Sequence, residues 1–167
     1  MEWHPWIVYG HVLGAFAFAA GHGVAIAMAF RLRSERDPGR IAAILDMSLW
    51  MVSPKSLMSI GFIVLFVSGI AAGFTGGYWG RLWIWVAIGL LVVITGLMTP
   101  IGAGHYNKVR AAIGQKLPRD KSDAPPPAPL PADQLEALLM APTPWILTVL
   151  GGLGFAVIVL LMAFKPF

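Results

Sequence analysis

Four long stretches of the chain are apolar and contain no acidic residue. They cover residues 3–30, 56–80, 82–107 and 137–164. Each is longer than the ~20 residues that a helix needs to cross the ~30 Å hydrocarbon core of a bilayer. The pattern predicts an all-α membrane protein, a bundle of four transmembrane helices that pair their backbone polar groups internally. The predicted spans are about 5–30, 54–75, 82–104 and 144–164.

Proline and hydroxyl residues mark the expected helix boundaries. Pro5 suits a first helical turn, because its missing amide would be unpaired there anyway. Ser53 followed by Pro54 predicts the start of the second span. Pro100 is expected to bend the last turn of the third span.

The basic residues predict the orientation of the bundle. The connections after the first and third spans hold ten of the twelve Lys and Arg residues, with Lys55 at the far end of the first connection. Only Arg81 and Lys165 lie elsewhere. Short cytoplasmic loops are enriched in basic residues, so we expect a cell inner-membrane protein with both termini outside. Residues 31–53 and 105–143 would then be cytoplasmic.

The two predicted cytoplasmic connections differ in character. Within residues 31–53, apolar side chains recur at helical spacing at Ile41, Ile44, Leu45 and Leu49, which predicts an interfacial helix in the headgroup plane. Within residues 105–143, the proline-rich run 124–131 predicts a stiff, extended spacer.

Composition narrows the chemistry. Hydrophobic residues make up 57% of the chain and charged residues 12%, and there is no cysteine. Disulfides, cysteine-bound zinc, iron–sulfur clusters and covalently attached c-type haem are therefore excluded. The net charge of +4 reflects the basic connections, and we expect no nucleic-acid partner. No nucleophile, base and orienting group appear together, so no catalytic residue is predicted and enzyme activity stays open.

Three histidines in the first span are the main candidates for function. His4, His11 and His22 are separated by seven and eleven residues, which places them on one stripe at ~100° per residue. Ionisable side chains within a membrane span are functional candidates by default. The alternative is structural, with each imidazole bonded to a carbonyl across a close helix contact.

Methionines at matching depth suggest partners for two of these histidines. At ~1.5 Å per residue, Met98 is level with His22 and Met162 is level with His11. His and Met form an established axial pair for haem iron, although methionine is more often a packing residue. His105, at the inner surface, is either an interfacial anchor, a haem or metal ligand, or a contact for a lipid or quinone headgroup.

The motif Gly10-His11-Val12-Leu13-Gly14 and the following run 31–38 resemble the copper-resistance-D-type membrane proteins and related uncharacterised bacterial integral membrane proteins. More distantly, the layout is similar to that of the haem-associated, four-helix membrane protoporphyrinogen oxidase family. The resemblance covers mainly the first span and its loop. It implies a histidine-based copper or haem site that involves His11.

Three functions are therefore expected to compete. The first is a membrane haem protein in electron transfer or haem-linked redox chemistry, with b-type haem held by residues from the set His11, His22, His105, Met98 and Met162. The second is a non-catalytic accessory or assembly subunit, with a membrane-protein partner or a second copy packed on glycine-rich faces. The third is a copper-handling protein that uses His4, His11 and His22.

Overall fold

The computed structural model describes residues 2–166, which form six α-helices and one short 3₁₀ turn. The helices are α1 (His4–Ser34), α2 (Pro38–Met51), α3 (Leu57–Thr75), α4 (Leu82–Ala112), α5 (Ala132–Leu139) and α6 (Thr143–Phe164). The turn Tyr78–Gly80 joins α3 to α4. Four segments are long and apolar enough to cross a membrane, namely α1, α3, α4 and a stretch that includes α6. The chain is an all-α, multi-pass membrane protein with a four-helix bundle.

Two helix boundaries differ from those expected. The helix α3 begins at Leu57, because the Ser56 hydroxyl caps it by accepting from the Ser59 amide at 3.1 Å. The earlier Ser53–Pro54 pair forms a turn instead, closed by the Ser56 amide on the Ser53 carbonyl. The helix α4 continues past Pro100 to Ala112, since a proline inside a membrane helix removes one backbone bond without ending the helix.

The transmembrane helices are arranged as two pairs. α1 packs along α3 and α4 packs along α6, while α1 meets α6 over a short stretch. The first pair is close because glycines meet backbone: a Cβ on Gly14 would lie 2.5 Å from the Leu65 amide nitrogen, and one on Gly61 would lie 2.5 Å from that of Phe18. Small residues at such contacts let helix backbones approach closely.

The second pair is held by side chains. Trp83, Ile84 and Ala87 of α4 pack with Leu161 of α6 in a buried cluster. His4 and Lys165 both lie at this end of the bundle, because Lys165 Nζ is 3.3 Å from the Tyr78 hydroxyl and His4 bonds to α3. We call this the terminal end. We call the boundary between the two helix pairs the seam.

The opposite end, which we call the loop end, carries its own small core. Leu32, Ile41, Leu45, Val109 and Leu139 are fully buried there and come from α1, α2, α4 and α5. Ile41 and Leu45 therefore pack against protein, whereas Trp50 on the same helix is exposed. The placement of α2 in the headgroup plane remains a prediction that rests on this exposed face.

Polar contacts tie the loop end together. The buried Arg110 donates to Asp46 at 2.9 Å, and Arg36 pairs with Glu136. The Leu130 amide donates to the Ala112 carbonyl at 2.8 Å, which docks the proline-rich segment on the end of α4. The loop end is a folded cap on the bundle.

Glu35 lies at the centre of a second polar group at the loop end. Its carboxylate accepts from the backbone amides of Arg36 and Asp37, and these bonds hold the pKa of Glu35 below its usual range. Burial opposes this shift, and the charges of Arg31 and Arg40 each add a smaller lowering effect on the pKa. The carboxylate therefore favours its charged form in the fold.

Candidate functional site

His4 makes its contacts at the surface of the terminal end. Its Nδ1 lies 2.8 Å from the Thr75 hydroxyl, which itself donates to the Ala71 carbonyl. Thr75 must therefore accept from His4. The imidazole also makes an edge contact with Tyr78. These contacts fix the start of α1 on the end of α3, and they account for His4 in structural terms.

His11 is bonded within the first helix pair. Its Nδ1 lies 2.8 Å from the Leu65 carbonyl oxygen, and its ring fills the space above Gly69, where a Cβ would lie 2.8 Å from Cε1. Ser68 lies beside it, with its hydroxyl 3.5 Å from the same nitrogen. A carbonyl can only accept, so the Nδ1 atom of His11 carries the proton. The contacts of His11 therefore support a structural role, in which its imidazole bonds to a carbonyl across a close helix contact.

His22 has a different environment, at the seam. Its Nε2 atom is buried and has no hydrogen-bond partner among residues 2–166. The ring stacks on Phe18, with centroids 6.0 Å apart and planes 14° from parallel. Buried polar atoms without a partner are rare in native structures and call for an explanation. His22 is thus the histidine whose chemistry is left open.

Met98 and Gly151 complete this neighbourhood. A Cβ on Gly151 would lie 2.6 Å from His22 Nε2 and 2.9 Å from Met98 Cε. The two side-chain atoms are therefore no more than about 5.5 Å apart, the sum of these distances. They belong to α1 and α4, on opposite sides of the seam, and Gly151 of α6 leaves the room in which they meet. The structure thus brings His22 and Met98, the pair matched by depth, to the same place at the seam.

The other predicted pairing is not found. Met162 packs against the buried cluster around Trp83 in the second pair, whereas His11 is bonded to Leu65 in the first. His105 lies at the loop end, buried beside Tyr106. Within residues 2–166, no group of three or more His, Cys, Asp or Glu side chains is placed to hold a metal ion. The structure does not bring His4, His11 and His22 together as one such group.

The glycine-rich faces that suggested a packed partner belong to α3 and α6, and four of their five glycines make contacts inside the bundle. The five are Gly69, Gly73, Gly151, Gly152 and Gly154. Gly69 makes room for His11, Gly73 for Trp79, Gly151 for His22 and Gly154 for Ile94. Only Gly152 of that set has open space at the Cβ position. The open side of Gly152 is the part of these faces that stays free for a partner within the described residues. The depth of Gly151 could have pointed to this region of the seam from the sequence, since it is nearly the same as that of His22 and Met98.

Comparisons of the chain with protein-family models, with curated proteins and with solved structures find no match. The class of protein therefore follows from the fold: a multi-pass, four-helix membrane protein. What singles out this member of the class is one unpaired imidazole beside a thioether at the seam.

Proposed function

We propose that the chain is a membrane-embedded redox protein that holds a metal centre at the seam, with His22 and Met98 as its protein ligands. One observation carries the proposal, namely the approach of an unpaired imidazole nitrogen and a methionine side chain to each other over Gly151. Leaving a buried polar atom unpaired costs roughly 1–3 kcal/mol. A metal bound to Nε2 would remove that cost.

A single copper ion is the centre that the spacing favours. Imidazole nitrogen suits copper, and the soft thioether of methionine selects Cu(I) over harder ions. A Cβ at Gly151 would already be too close to both side chains. This closeness favours a single ion over a flat macrocycle, which would need α6 to move away from the two side chains.

Haem of the b type is the second candidate, and it is favoured because the two helix pairs meet over only a short stretch of α1 and α6 in the described residues. His and Met are an axial pair for haem iron, and here they come from opposite pairs. An open apolar groove of about 280 Å³ lies between α3 and α4, lined by Phe62, Phe66, Leu91, Val92, Thr95, Gly96 and Thr99. To admit haem, α6 would have to withdraw from α1 at Gly151.

The chain would set the properties of either centre through its surroundings. A bound copper or haem iron supplies one-electron redox chemistry. Phe18 fixes the plane of the His22 ring, and the apolar helices around it keep water away from the ligands. Burial and the lack of hydrogen bonds are known levers on the potential of a metal site. The seam supports electron transfer better than hydrolysis, because the described helices that meet there, α1, α4 and α6, contain no carboxylate.

We also propose the cellular setting. The excess of Lys and Arg at the loop end supports a cytoplasmic loop end and an outer terminal end in the inner membrane. A redox protein needs an electron donor and an acceptor, and a membrane-protein partner or a second copy bound in the bilayer would fill one of these roles.

The test is an absorption spectrum and an elemental analysis of the protein, purified in mild detergent from cells supplied with both copper and iron. Copper close to one equivalent without a Soret band supports the copper centre. A Soret band with stoichiometric iron supports haem and overturns the copper assignment. Protein that is colourless and free of both metals overturns the redox proposal. Co-purification of stoichiometric partners in that last case would favour an accessory subunit.

A further inference from the structure

His105 is a buried polar side chain that the proposed metal centre does not use. It lies on α4 at the loop end, and only 7% of its surface is exposed. Its ring lies beside that of Tyr106, with centroids 5.8 Å apart, and Tyr106 packs against the loop-end core. A histidine in this position, at the end of a membrane span, calls for a role of its own.

Two helices bring positive charge to this histidine. Lys108 is one turn further along α4, on the same face as His105, and its side chain is exposed. Arg33 comes from α1, where the preceding Leu32 shares a buried core with Val109 of α4. The charges of Arg33 and Lys108 both act on the His105 ring, and no carboxylate of the described residues does so. We call His105, Arg33 and Lys108 the cationic cluster.

The protein does not neutralise the two charges of the cationic cluster. Arg33 donates from Nη1 to the Ala141 carbonyl at 2.6 Å, which holds its guanidinium near the start of α6 without pairing its charge. Arginine and lysine bind phosphate through charge-assisted hydrogen bonds, so the cluster fits a phosphate group. The four ion pairs found among residues 2–166 use other cations, namely Arg31, Arg36, Arg40 and Arg110.

The depth of the cationic cluster indicates which phosphate it meets. Trp145 follows Ala141 by four residues, is 57% exposed, and packs edge-on against Phe30 of α1 with ring centroids 4.7 Å apart. Tryptophan is enriched where membrane helices cross the interface with water. Phe30 is one turn before Arg33, so the cluster lies at the level of the phospholipid headgroups.

We propose that His105, Arg33 and Lys108 bind the phosphate group of an anionic phospholipid in the leaflet at the loop end. The two basic side chains and the imidazole N–H would donate to the phosphate oxygens. A zwitterionic lipid carries its own cation, which the two basic side chains would repel, so the site selects a lipid of net negative charge. The argument uses neither His22 nor Met98, so it does not depend on the proposed metal centre.

Native mass spectrometry of the detergent-purified full chain measures this selectivity. Phosphatidylglycerol and phosphatidylcholine with identical acyl chains are added in turn, and bound lipid is counted per chain. At about fivefold for each basic side chain near a membrane surface, we expect phosphatidylglycerol to bind about 25-fold more tightly. Lys108→Gln, at an exposed position, should lower this ratio about fivefold.

Lys55→Gln is the matched control for charge. Lys55 is also exposed at the loop end, just before α3, but its charge does not act on His105. This variant should keep the wild-type ratio. Equal losses in Lys55→Gln and Lys108→Gln would mean that the net charge of the loop end attracts anionic lipids without a site, and the proposal would fail.

Two further measurements test the imidazole and the source of the phosphate. His105→Phe removes the ring N–H but no formal charge, and should weaken phosphatidylglycerol binding about tenfold, as expected for a hydrogen bond to a charged group. Unchanged binding in this variant would exclude His105 from the site. Inorganic phosphate at the concentration of the lipid should not displace phosphatidylglycerol, whereas displacement would assign the cluster to a soluble anion and overturn the lipid assignment.

Discussion

His11 and His22 lie on one helix and at nearly the same angle around it, yet the structure gives them opposite environments. The imidazole of His11 donates to the Leu65 carbonyl and rests on Gly69 within the first pair. The imidazole of His22 points its Nε2 atom at Gly151, across the seam, and has no partner there. Angle around a helix therefore does not separate a structural histidine from a candidate ligand, whereas accounting for each hydrogen bond does.

The difference arises from what each half of α1 packs against. Near His11, α3 presents the Leu65 carbonyl, which accepts a hydrogen bond from the imidazole. The ring of His22 faces α6 instead, which presents Gly151 there, and its Nε2 atom has no hydrogen-bond partner within residues 2–166. The following variants test whether this contrast is real, beginning with the largest expected effect.

Gly61→Leu should separate the first helix pair. A Cβ at this position lies 2.5 Å from the Phe18 amide, and backbone cannot move aside as a side chain can. We expect the folded yield in detergent, measured by size-exclusion chromatography, to fall to near zero. Gly23→Leu, on α1 with open space at the Cβ position, is the control and should keep its yield. Normal behaviour of Gly61→Leu would contradict the close packing of α1 on α3.

Gly151→Ala should disturb the seam while the pairs stay intact. The new methyl group would overlap His22 Nε2 and Met98 Cε, so both side chains must turn away. Overpacking of this kind costs about 1–3 kcal/mol, which a thermal unfolding scan should detect. Gly152→Ala, the next residue, meets open space and should be neutral. Equal melting of the two variants would mean that His22 and Met98 do not meet over Gly151.

Replacing each histidine with phenylalanine compares the two environments directly. His11→Phe removes the bond to Leu65 and should destabilise the protein by about 0.6–2 kcal/mol, the range for hydrogen bonds between membrane helices. His22→Phe removes an unpaired polar atom from the metal-free protein, so its stability should stay the same or rise. Denaturation of both metal-free variants in mixed micelles measures the difference. A larger loss for His22→Phe would reverse the comparison.

The sequence was informative about the fold for a simple physical reason. Charge is too costly in a bilayer core to be scattered, so its distribution marks the spans, and the bounds 5–30 and 82–104 fall inside α1 and α4. The end of α4 was not predictable, because nothing near His105 signals whether a membrane helix stops at the interface or continues into a cap. Burial of Ile41 against α4 depends on tertiary contacts that helical periodicity does not reveal.

The candidate site was predictable only in part. The depth of His22 and Met98 follows from counting residues along regular helices. Their facing each other depends on which helices pair, and the sequence left that open. The same counting also matched His11 with Met162, but the ring of His11 faces Leu65 and Gly69 of α3, whereas Met162 packs on the cluster around Trp83.

The smallest expected effect is a pH dependence of stability at the loop end, which arises from the carboxyl group of Glu35. A carboxyl whose pKa is lower in the folded chain stabilises the fold above its unfolded value, near 4.5. That contribution is lost as the pH falls through the folded pKa. Protection of the α2 amides from hydrogen exchange should therefore weaken below about pH 4.5. Glu35→Gln should lack this step, and an identical profile for the variant would exclude Glu35 as its source.

The most direct test of the central claim is the metal content of matched histidine variants. Wild type, His11→Phe, His22→Phe and Met98→Leu are purified side by side, and copper and iron are measured per folded chain in the monodisperse chromatographic peak. The account predicts equal metal in wild type and His11→Phe, a loss of most metal in Met98→Leu, and none in His22→Phe. Metal retained by His22→Phe, or lost from His11→Phe, would contradict the assignment of the seam as the metal site.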